Sequence, residues 1–430
     1  MSQPRSFQRG AGTLAVTLLL LFGMSAAALY VNRSLLFEQR VAADQVRSAT
    51  AFEVAEAGLE WATGMLNSPN DIDTSCNPLT SALKSFRKLY VLTKFNDATN
   101  PSSAVIPATN VMPGCRIGSN GALTCSCPAV PNTGSAVAAL GTSATPSFTI
   151  SFATVPGETE AVQITSWGCT ASSSVCTSTN ASSADGSAHV TAILKLKPTL
   201  RAAPASPITC GTSCTIGGSF NIVNTDVSTN GILVNAGTTI TSGNGVTMTS
   251  VPGLPTQNAL VGSDSSLSAL SSSDPTCNNS SMFNAYFGST LAQYKADPST
   301  KSISCSSTSD CKNQIDAAYQ AGWRSFYFDT DFQLSGNSTL GSQHDPVTLV
   351  TPNALKINGT WDVYGLIFSN DADWNDLGTG SAIIHGAQVS CAAYRNNGNG
   401  TVTYDADALQ NLRRTSGVYV RVPGSWRDFN

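Results

Sequence analysis

The sequence predicts an α+β protein, in which a long N-terminal helix, transmembrane and then amphipathic, carries a large, mainly-β head stabilised by disulfides. Three observations predict this fold class. An uncharged apolar stretch follows a short basic leader and continues into residues that favour helix. All twelve cysteines come after this region. The remainder of the chain repeats short strand patterns separated by Gly, Asn and Ser.

The helix is predicted over residues 11–66. No proline occurs between Pro4 and Pro69, and good helix formers dominate. The segment 11–31 has no charged residue; at about 1.5 Å per residue it crosses the roughly 30 Å hydrocarbon core of a bilayer. Further along, apolar residues recur at steps of three and four and form one face that needs a protein surface to cover it. This face consists of Phe52, Ala55, Leu59, Ala62 and Leu66.

The leader, residues 1–10, admits three interpretations. A secretory signal peptide would be cut near the small residues 25–28. A plain membrane anchor would remain uncut. A prepilin-type signal would be cut after Gly10 and would leave the apolar helix on the mature protein. We favour the third, because cutting near residue 28 would strand a partly apolar helix without its first half.

Four pieces of the N-terminal region support this choice. They are the Gln-Arg-Gly-Ala of residues 8–11, the leucine run 18–21, the Glu-Gln-Arg-Val-Ala of 38–42, and residues 51–59. At this spacing they resemble the N-terminal region of the PilX-type minor pilins of bacterial type IV pili. The resemblance covers about an eighth of the chain, so it bears on the helix and says little about the head.

The resemblance implies a route of maturation. Prepilin peptidase would cut between Gly10 and Ala11, and the new amino group of Ala11 would be N-methylated. The precursor would sit in the inner membrane with its head in the periplasm. The helix would later pack among other minor and major pilins in a pilus at the cell surface.

The first mature positions depart from the pattern of major pilins. Those usually carry Phe at the first position and Glu at the fifth, where this chain has Ala11 and Ala15. A carboxylate in hydrocarbon persists only when paired, and in pilins it is thought to meet the N-terminal amine of a neighbour. Without it, this chain lacks that pairing to a subunit above it, which favours a priming or tip position. The alternative is that Ala15 is merely tolerated in a rare subunit.

Composition indicates an exported protein. The chain has 430 residues, of which 12% are charged, and its formal net charge is −4. No basic patch with interleaved aromatic residues is visible, so nucleic-acid binding is not predicted. An even number of cysteines in an exported head predicts up to six disulfides.

Spacing favours three short disulfide loops, Cys169–Cys176, Cys210–Cys214 and Cys305–Cys311. Cys115 is expected to pair with Cys125 or Cys127. The pairing of the remaining cysteines stays open; they are Cys76, Cys277, Cys391 and whichever of the two alternatives is left over.

The head divides into two segments by its sequence pattern, because short strands separated by Gly, Asn and Ser turns become frequent from residue 208 onward. Residues 67–207 are predicted to form a β-rich, pilin-like head against the amphipathic half of the helix. Residues 208–430 are predicted to form a β-rich, solenoid-like C-terminal part, with a helical insertion at about 283–323. No fixed repeat period is visible in this second part. The clearest strand patterns of the first segment are at 147–152, 161–165 and 189–196.

One loop offers oxygen ligands at alternate positions, as a calcium loop would. Its ligands are Asp371, Asp373 and Asn375. The match is weak, because Asp376 stands where glycine is needed and Ala382 where the bidentate Glu belongs. No other cofactor is predicted. No nucleophile elbow, phosphate loop or zinc-protease motif is present, so we do not expect an enzyme.

The sequence therefore predicts a minor pilin that acts in assembly or at the tip of a type IV pilus, with a head that is adhesive or binds a tip adhesin. One alternative is a type II secretion pseudopilin of the GspK type. Another is a membrane-tethered carbohydrate-binding or adhesive protein outside any pilus. A sugar-binding aromatic surface would draw on the tryptophans of the C-terminal half, Trp323, Trp361, Trp374 and Trp426.

Overall fold

We describe the protein from a computed structural model. It describes residues 10–79, 84–93, 105–140, 145–171, 175–180, 184–272, 281–330, 332–357, 359–373 and 381–428. The N-terminal helix, α1, runs without interruption over Gly10–Asn67. It contains a stretch long and apolar enough to cross a membrane. The predicted helix is thus confirmed, and it ends one residue later than expected.

The head contains a six-stranded antiparallel sheet in the order β26-β9-β8-β7-β4-β5. Its strands are β4 (Gly114–Ile117), β5 (Leu123–Ser126), β7 (Ser147–Val155), β8 (Glu158–Cys169), β9 (Ser187–Pro198) and β26 (Gly417–Arg421). Smaller elements surround it: β1 (Asp71–Ile72), β2 (Pro78–Leu79), α2 (Phe86–Tyr90), β3 (Val111–Met112) and β6 (Ala136–Val137). The three predicted strand patterns lie in β7, β8 and β9, which are longer than their alternating cores.

The second half of α1 packs on this sheet. Alternate residues of the strands point at the helix, and Phe148, Ile164 and Val190 are fully buried in the same cluster as Leu59. The approach is close at Gly168 of β8, where an added Cβ would clash with main-chain atoms of the helix. Glycine at this position therefore sets how near the helix lies to the sheet.

A parallel β-solenoid forms most of the rest. Its strands are β10 (Ile208–Cys210), β11 (Cys214–Ile216), β12 (Phe220–Val223), β13 (Val234–Ala236), β14 (Ile240–Ser242), β15 (Thr247–Thr249), β16 (Leu260–Val261), β17 (Thr300–Ile303), β18 (Ser325–Phe328), β19 (Phe332–Leu334), β20 (Ser338–Leu340), β21 (Val347–Ile357), β22 (Trp361–Asp373), β23 (Ser381–Ser390), β24 (Tyr394–Asn396) and β25 (Asn399–Thr403). Every described pairing among them is parallel. This stack is the solenoid expected for the C-terminal segment.

The stack has three faces. Face 1 runs in the order β17, β18, β21, β22, β23, β10, β13, β16. Face 2 runs β19, β21, β22, β24, β11, β14. Face 3 runs β20, β22, β23, β25, β12, β15. Long strands bend from face 3 to face 1 at Gly365 and Gly386, which are paired neighbours with φ of +136° and +138°; this region of φ favours glycine.

Chain order and spatial order differ in the solenoid. The chain enters in the middle of the stack at β10 and builds one way to β16. It then crosses to the far end at β17 and builds back until β23 pairs with β10. In the first run Ile208 lies beside Val234, and Val234 beside Leu260, so these turns repeat every 26 residues. The second run has turns of other lengths, which explains why no period is visible in the sequence.

The helices of the C-terminal segment are α3 (Ser265–Ser272), α4 (Ser281–Phe287), α5 (Leu291–Ala296), α6 (Thr308–Gln320) and α7 (Ala406–Thr415). The helical insertion predicted at about 283–323 is present as α4, α5 and α6, which together span residues 281–320 and are interrupted by β17. Gly288, at φ +65°, ends α4, and Thr290 starts α5 with a capping box. Ser307 caps the start of α6, where its side chain accepts a hydrogen bond from the backbone N–H of Asp310.

The last strand leaves the solenoid. Residues 417–421 are predicted to belong to the segment 208–430, but β26 pairs antiparallel with β9 in the head sheet. The solenoid segment is therefore tied to the head where its chain begins, by the link from β9 to β10, and where its chain ends, by the return from α7 to β26. Strand pairing between distant residues decides this, and a local pattern carries no signal for it.

Candidate functional site

The exposed half of α1 is the first candidate surface. Every residue from Gly12 to Ala49 whose side-chain environment is described is exposed, including Phe22 and Tyr30 at 75% and 78%. A folded protein rarely exposes so large an apolar surface unless a membrane or a partner covers it. By length and composition this half can sit in a bilayer, and it can equally pack among similar helices.

The buried half of α1 begins at Ala51. Four of the five residues predicted for the amphipathic face are buried on the head, namely Ala55, Leu59, Ala62 and Leu66. The fifth, Phe52, is half-buried and meets Trp426 edge-on at 6.1 Å between ring centroids. The predicted packing of this face on the head is thus confirmed, and contact of the exposed half with lipid stays a prediction.

The processing residues lie at the start of α1. Gly10 and Ala11 are both helical, and residues 1–9 lie outside the described part of the chain. Cleavage after Gly10 therefore stays a prediction. Gly12 lies two residues after Gly10, and an added Cβ there would meet nothing within 4 Å. It is therefore a suitable control site.

A buried ion cluster joins the head to the solenoid. Lys88 Nζ lies 2.6 Å from one oxygen of Asp345, and Arg324 Nη2 lies 2.7 Å from the other. All three side chains are less than a fifth exposed. A carboxylate shared by two cations is stabilised only while both contacts are kept, so this cluster holds α2 against the loop before β21.

Arg87 makes a second link close by. Its guanidinium donates to the carbonyl oxygens of Leu66, Thr415 and Gly417 at 3.0, 3.1 and 2.8 Å. It also lies 4.9 Å from the ring centroid of Tyr419. One side chain thus connects the end of α1, the end of α7 and the start of β26. Neither link was predicted, because the contacts from Lys88 to Asp345 and from Arg87 to Gly417 join residues 257 and 330 positions apart.

The electrostatics of the cluster predict a pH dependence. Burial alone would raise the pKa of Asp345, but the charges of Lys88 and Arg324 hold that pKa below its ordinary value. The unfolded chain therefore binds this proton more tightly than the folded protein. The stability that Asp345 contributes is full above the unfolded pKa of about 4 and is lost as the pH falls through the lower folded pKa.

We expect the melting temperature of the parent protein to fall more steeply below about pH 4 than that of Asp345→Asn, because only the parent takes up this proton on unfolding. Thermal melts of both proteins across the acid range make the comparison. Other carboxyl groups are common to the two proteins, so they cancel. Parallel profiles would show that Asp345 is not the group responsible.

Five disulfides occur in the described residues. The three short loops expected from spacing are closed, Cys169–Cys176, Cys210–Cys214 and Cys305–Cys311. Of its two alternatives, Cys115 is bonded to Cys125, and Cys127 instead reaches Cys76. Cys391 is also disulfide-bonded. Cys277 lies outside the described residues.

Most of the calcium candidate lies outside the described residues. Asp371 and Asp373 end β22, but their side chains and all of Asn375 lie outside the described part. Calcium binding there stays a prediction. Among the described residues, no group of three or more His, Cys, Asp or Glu is arranged to hold a metal.

The three described tryptophans of the predicted sugar-binding set do not share a surface. Trp361 is fully buried in the solenoid core, and Trp323 packs against that core. Trp426 lies beside α1, and Trp374 is outside the described residues. For the three described tryptophans, packing explains their positions, as expected for large aromatic side chains.

The geometry defines a class of protein: a helix exposed over its first half, packed on a β-sheet head over its second. A family model described as PilX N-terminal matches residues 9–60, which confirms the resemblance over the helix. Over residues 9–60 the N-terminal region is therefore of the PilX type.

Other comparisons add little. No curated protein matches the chain. Among solved structures, the competence-associated pilin ComZ from Thermus thermophilus aligns over 89% of this chain and 97% of its own, at 12% identity and a TM-score of 0.24. Similarity this low supports no argument about the head.

Proposed function

We propose that this protein is a minor pilin, made as an inner-membrane prepilin, cut after Gly10 and incorporated at or near the tip of a type IV pilus. The observation that carries the proposal is the division of α1, which is exposed over its first half and packed on the head sheet over its second. The PilX N-terminal match falls on the same residues. Its partners would be prepilin peptidase, then other minor and major pilins.

The tip position rests on two further features. Ala15 replaces the glutamate that would pair with a subunit above. The solenoid also gives the head a large extra body, suited to an end of the filament where no further subunit must stack. In this position the solenoid would be the part that contacts a tip adhesin or a surface. Its role is structural, and we expect no catalytic activity.

The N-terminus of the protein from its native host tests the proposal. We expect the mature chain to begin at N-methylated Ala11, by intact mass and N-terminal peptide sequencing. Gly10→Val should leave the leader in place and keep the protein out of sheared pili. Gly12→Val, which meets open space, should be processed normally. A mature start at Leu29 or at Met1 would contradict the pilin assignment.

A further inference from the structure

The two ends of the solenoid differ. At the end that begins with β17, helix α6 covers the core: its Cys311, Ile315 and Ala318 are buried in the same cluster as Ile303 and Leu334. Stacked repeats need such a cap, since each layer buries its core only against a neighbour. At the opposite end, formed by β14, β15 and β16, no described α-helix has this role; there Leu254 and the 3-10 turn Thr256–Ala259, which lead into β16, pack against the same core.

The last layer at this opposite end is incomplete. On face 1, β16 forms a strand beyond β13. On faces 2 and 3 the described stack stops one layer earlier, and β14 and β15 each pair on one side only. We call the edges of β14 and β15 together the open end. At this end face 1 therefore extends one strand further than faces 2 and 3, and we call this difference the step.

The open end leaves apolar side chains only partly covered. The register places Ile240 beside Cys214 and Met248 beside Ile222, and both of these inner residues are fully buried. Ile240 and Met248 point the same way but are only half-buried. One more strand on each of the two faces would bury them as the layers below are buried.

The edge also lacks the usual protection. Exposed edge strands in natural proteins commonly carry Lys, Pro or an inward-pointing charge that prevents pairing with another chain. The open end carries Ile-Thr-Ser and Thr-Met-Thr, and no Lys, Arg or Glu occurs anywhere in residues 202–294. In the described residues of that range the only charged side chains are Asp226 and Asp264. The edge is thus open to strand addition and nearly uncharged.

We propose that the open end binds an extended, uncharged segment of a partner protein, which adds one strand to β14 and one to β15 and completes the last layer. Main-chain hydrogen bonds would supply the pairing, as in other cases of strand addition. The segment should place apolar side chains over Ile240 and Met248 and hydroxyl or amide side chains over Thr241 and Thr247. A charge at an inward position would be buried without a partner, so charge complementarity selects a neutral segment.

A second copy of the chain fits the step less well. Each copy has β16 on face 1, so two such ends brought together about a two-fold axis stay one strand apart on at least one face. The proposal goes beyond the proposed function and does not depend on it, because it rests only on the solenoid.

The probe is a synthetic peptide that copies Thr238–Thr249. In the protein, residues 238–249 pair with residues 214–223 of the neighbouring layer. A peptide of the same sequence therefore has the right spacing between its two strands to pair with β14 and β15 in turn. We expect saturable binding of the labelled peptide to the full-length protein in detergent. Amide hydrogen exchange should slow in β14 and β15 and stay unchanged in α6. A control peptide with Asp in place of Ile240 and Met248 should bind about tenfold more weakly or worse, because it buries charge in place of apolar area.

Matched variants of the protein complete the test. Met248→Lys places a charge inside the edge and should lose peptide binding, while Asn313→Lys, on the exposed side of α6, should retain it. A melting curve establishes that each variant is folded; if Met248→Lys is not, the two peptides decide the outcome. No slowing of exchange in β14 and β15 at saturating peptide, or equal binding of both peptides, would overturn the proposal. Self-association of the parent that Met248→Lys abolishes would instead assign the open end to a second copy.

Discussion

Asp345→Ala is expected to lower the free energy of unfolding by about 3–5 kcal/mol. The carboxylate lies between Lys88 and Arg324, at 2.6 and 2.7 Å. Its removal leaves two cations close together and largely buried, with no anion to offset their desolvation. The loss should also loosen the contact between α2 and the solenoid, because these residues come from both. Chemical denaturation of the full-length protein in detergent, monitored by tryptophan fluorescence, measures the change.

An exposed ion pair is the matched control. Lys195 and Glu158 also lie 2.6 Å apart, but both side chains are about half exposed. Glu158→Ala should cost no more than about 1 kcal/mol, since water already screens this pair. Equal losses for the two variants would show that the buried cluster contributes no more than a surface pair.

Gly168→Ala should cost about 3 kcal/mol, at the upper end of the range typical of overpacking. The added Cβ would run into the carbonyl oxygen of Ala51 and main-chain atoms of Ala55. Main-chain atoms of a helix cannot rotate aside, so either α1 or β8 must move. We expect a lower melting temperature and faster amide exchange along the buried half of α1.

A glycine in the same helix provides the control. Gly64 is exposed, and an added Cβ there meets nothing within 4 Å. Gly64→Ala should stabilise the protein by up to about 1 kcal/mol through helix propensity alone. If both alanine variants shifted stability in the same direction, the close approach of Gly168 to the helix would not be the controlling feature.

The two predictions test two separate contacts, one between α1 and the head sheet and one between the head and the solenoid. Gly168 sets how closely the helix lies on the head sheet, and the Asp345 cluster fixes α2 of the head to the solenoid.

Much of the helix follows from the sequence because its signals are local. Charge-free length predicts the exposed half, and steps of three and four predict the face formed by Ala55, Leu59, Ala62 and Leu66. The short disulfide loops are local in the same sense, because cysteines four to seven residues apart, such as Cys210 and Cys214, have few other partners within reach. Alternation likewise predicts the strands of the head sheet.

The remaining features depend on contacts between residues that are distant in sequence and meet only in the folded chain. The pairing of β10 with β23, the return of β26 to β9 and the bond between Cys76 and Cys127 join segments whose order no local pattern specifies. Lys88 and Asp345 are 257 residues apart in sequence, so their ion pair has no signal in spacing. The open end of the solenoid is a property of the finished stack, since a strand edge is free or paired only once every other strand has found its neighbour.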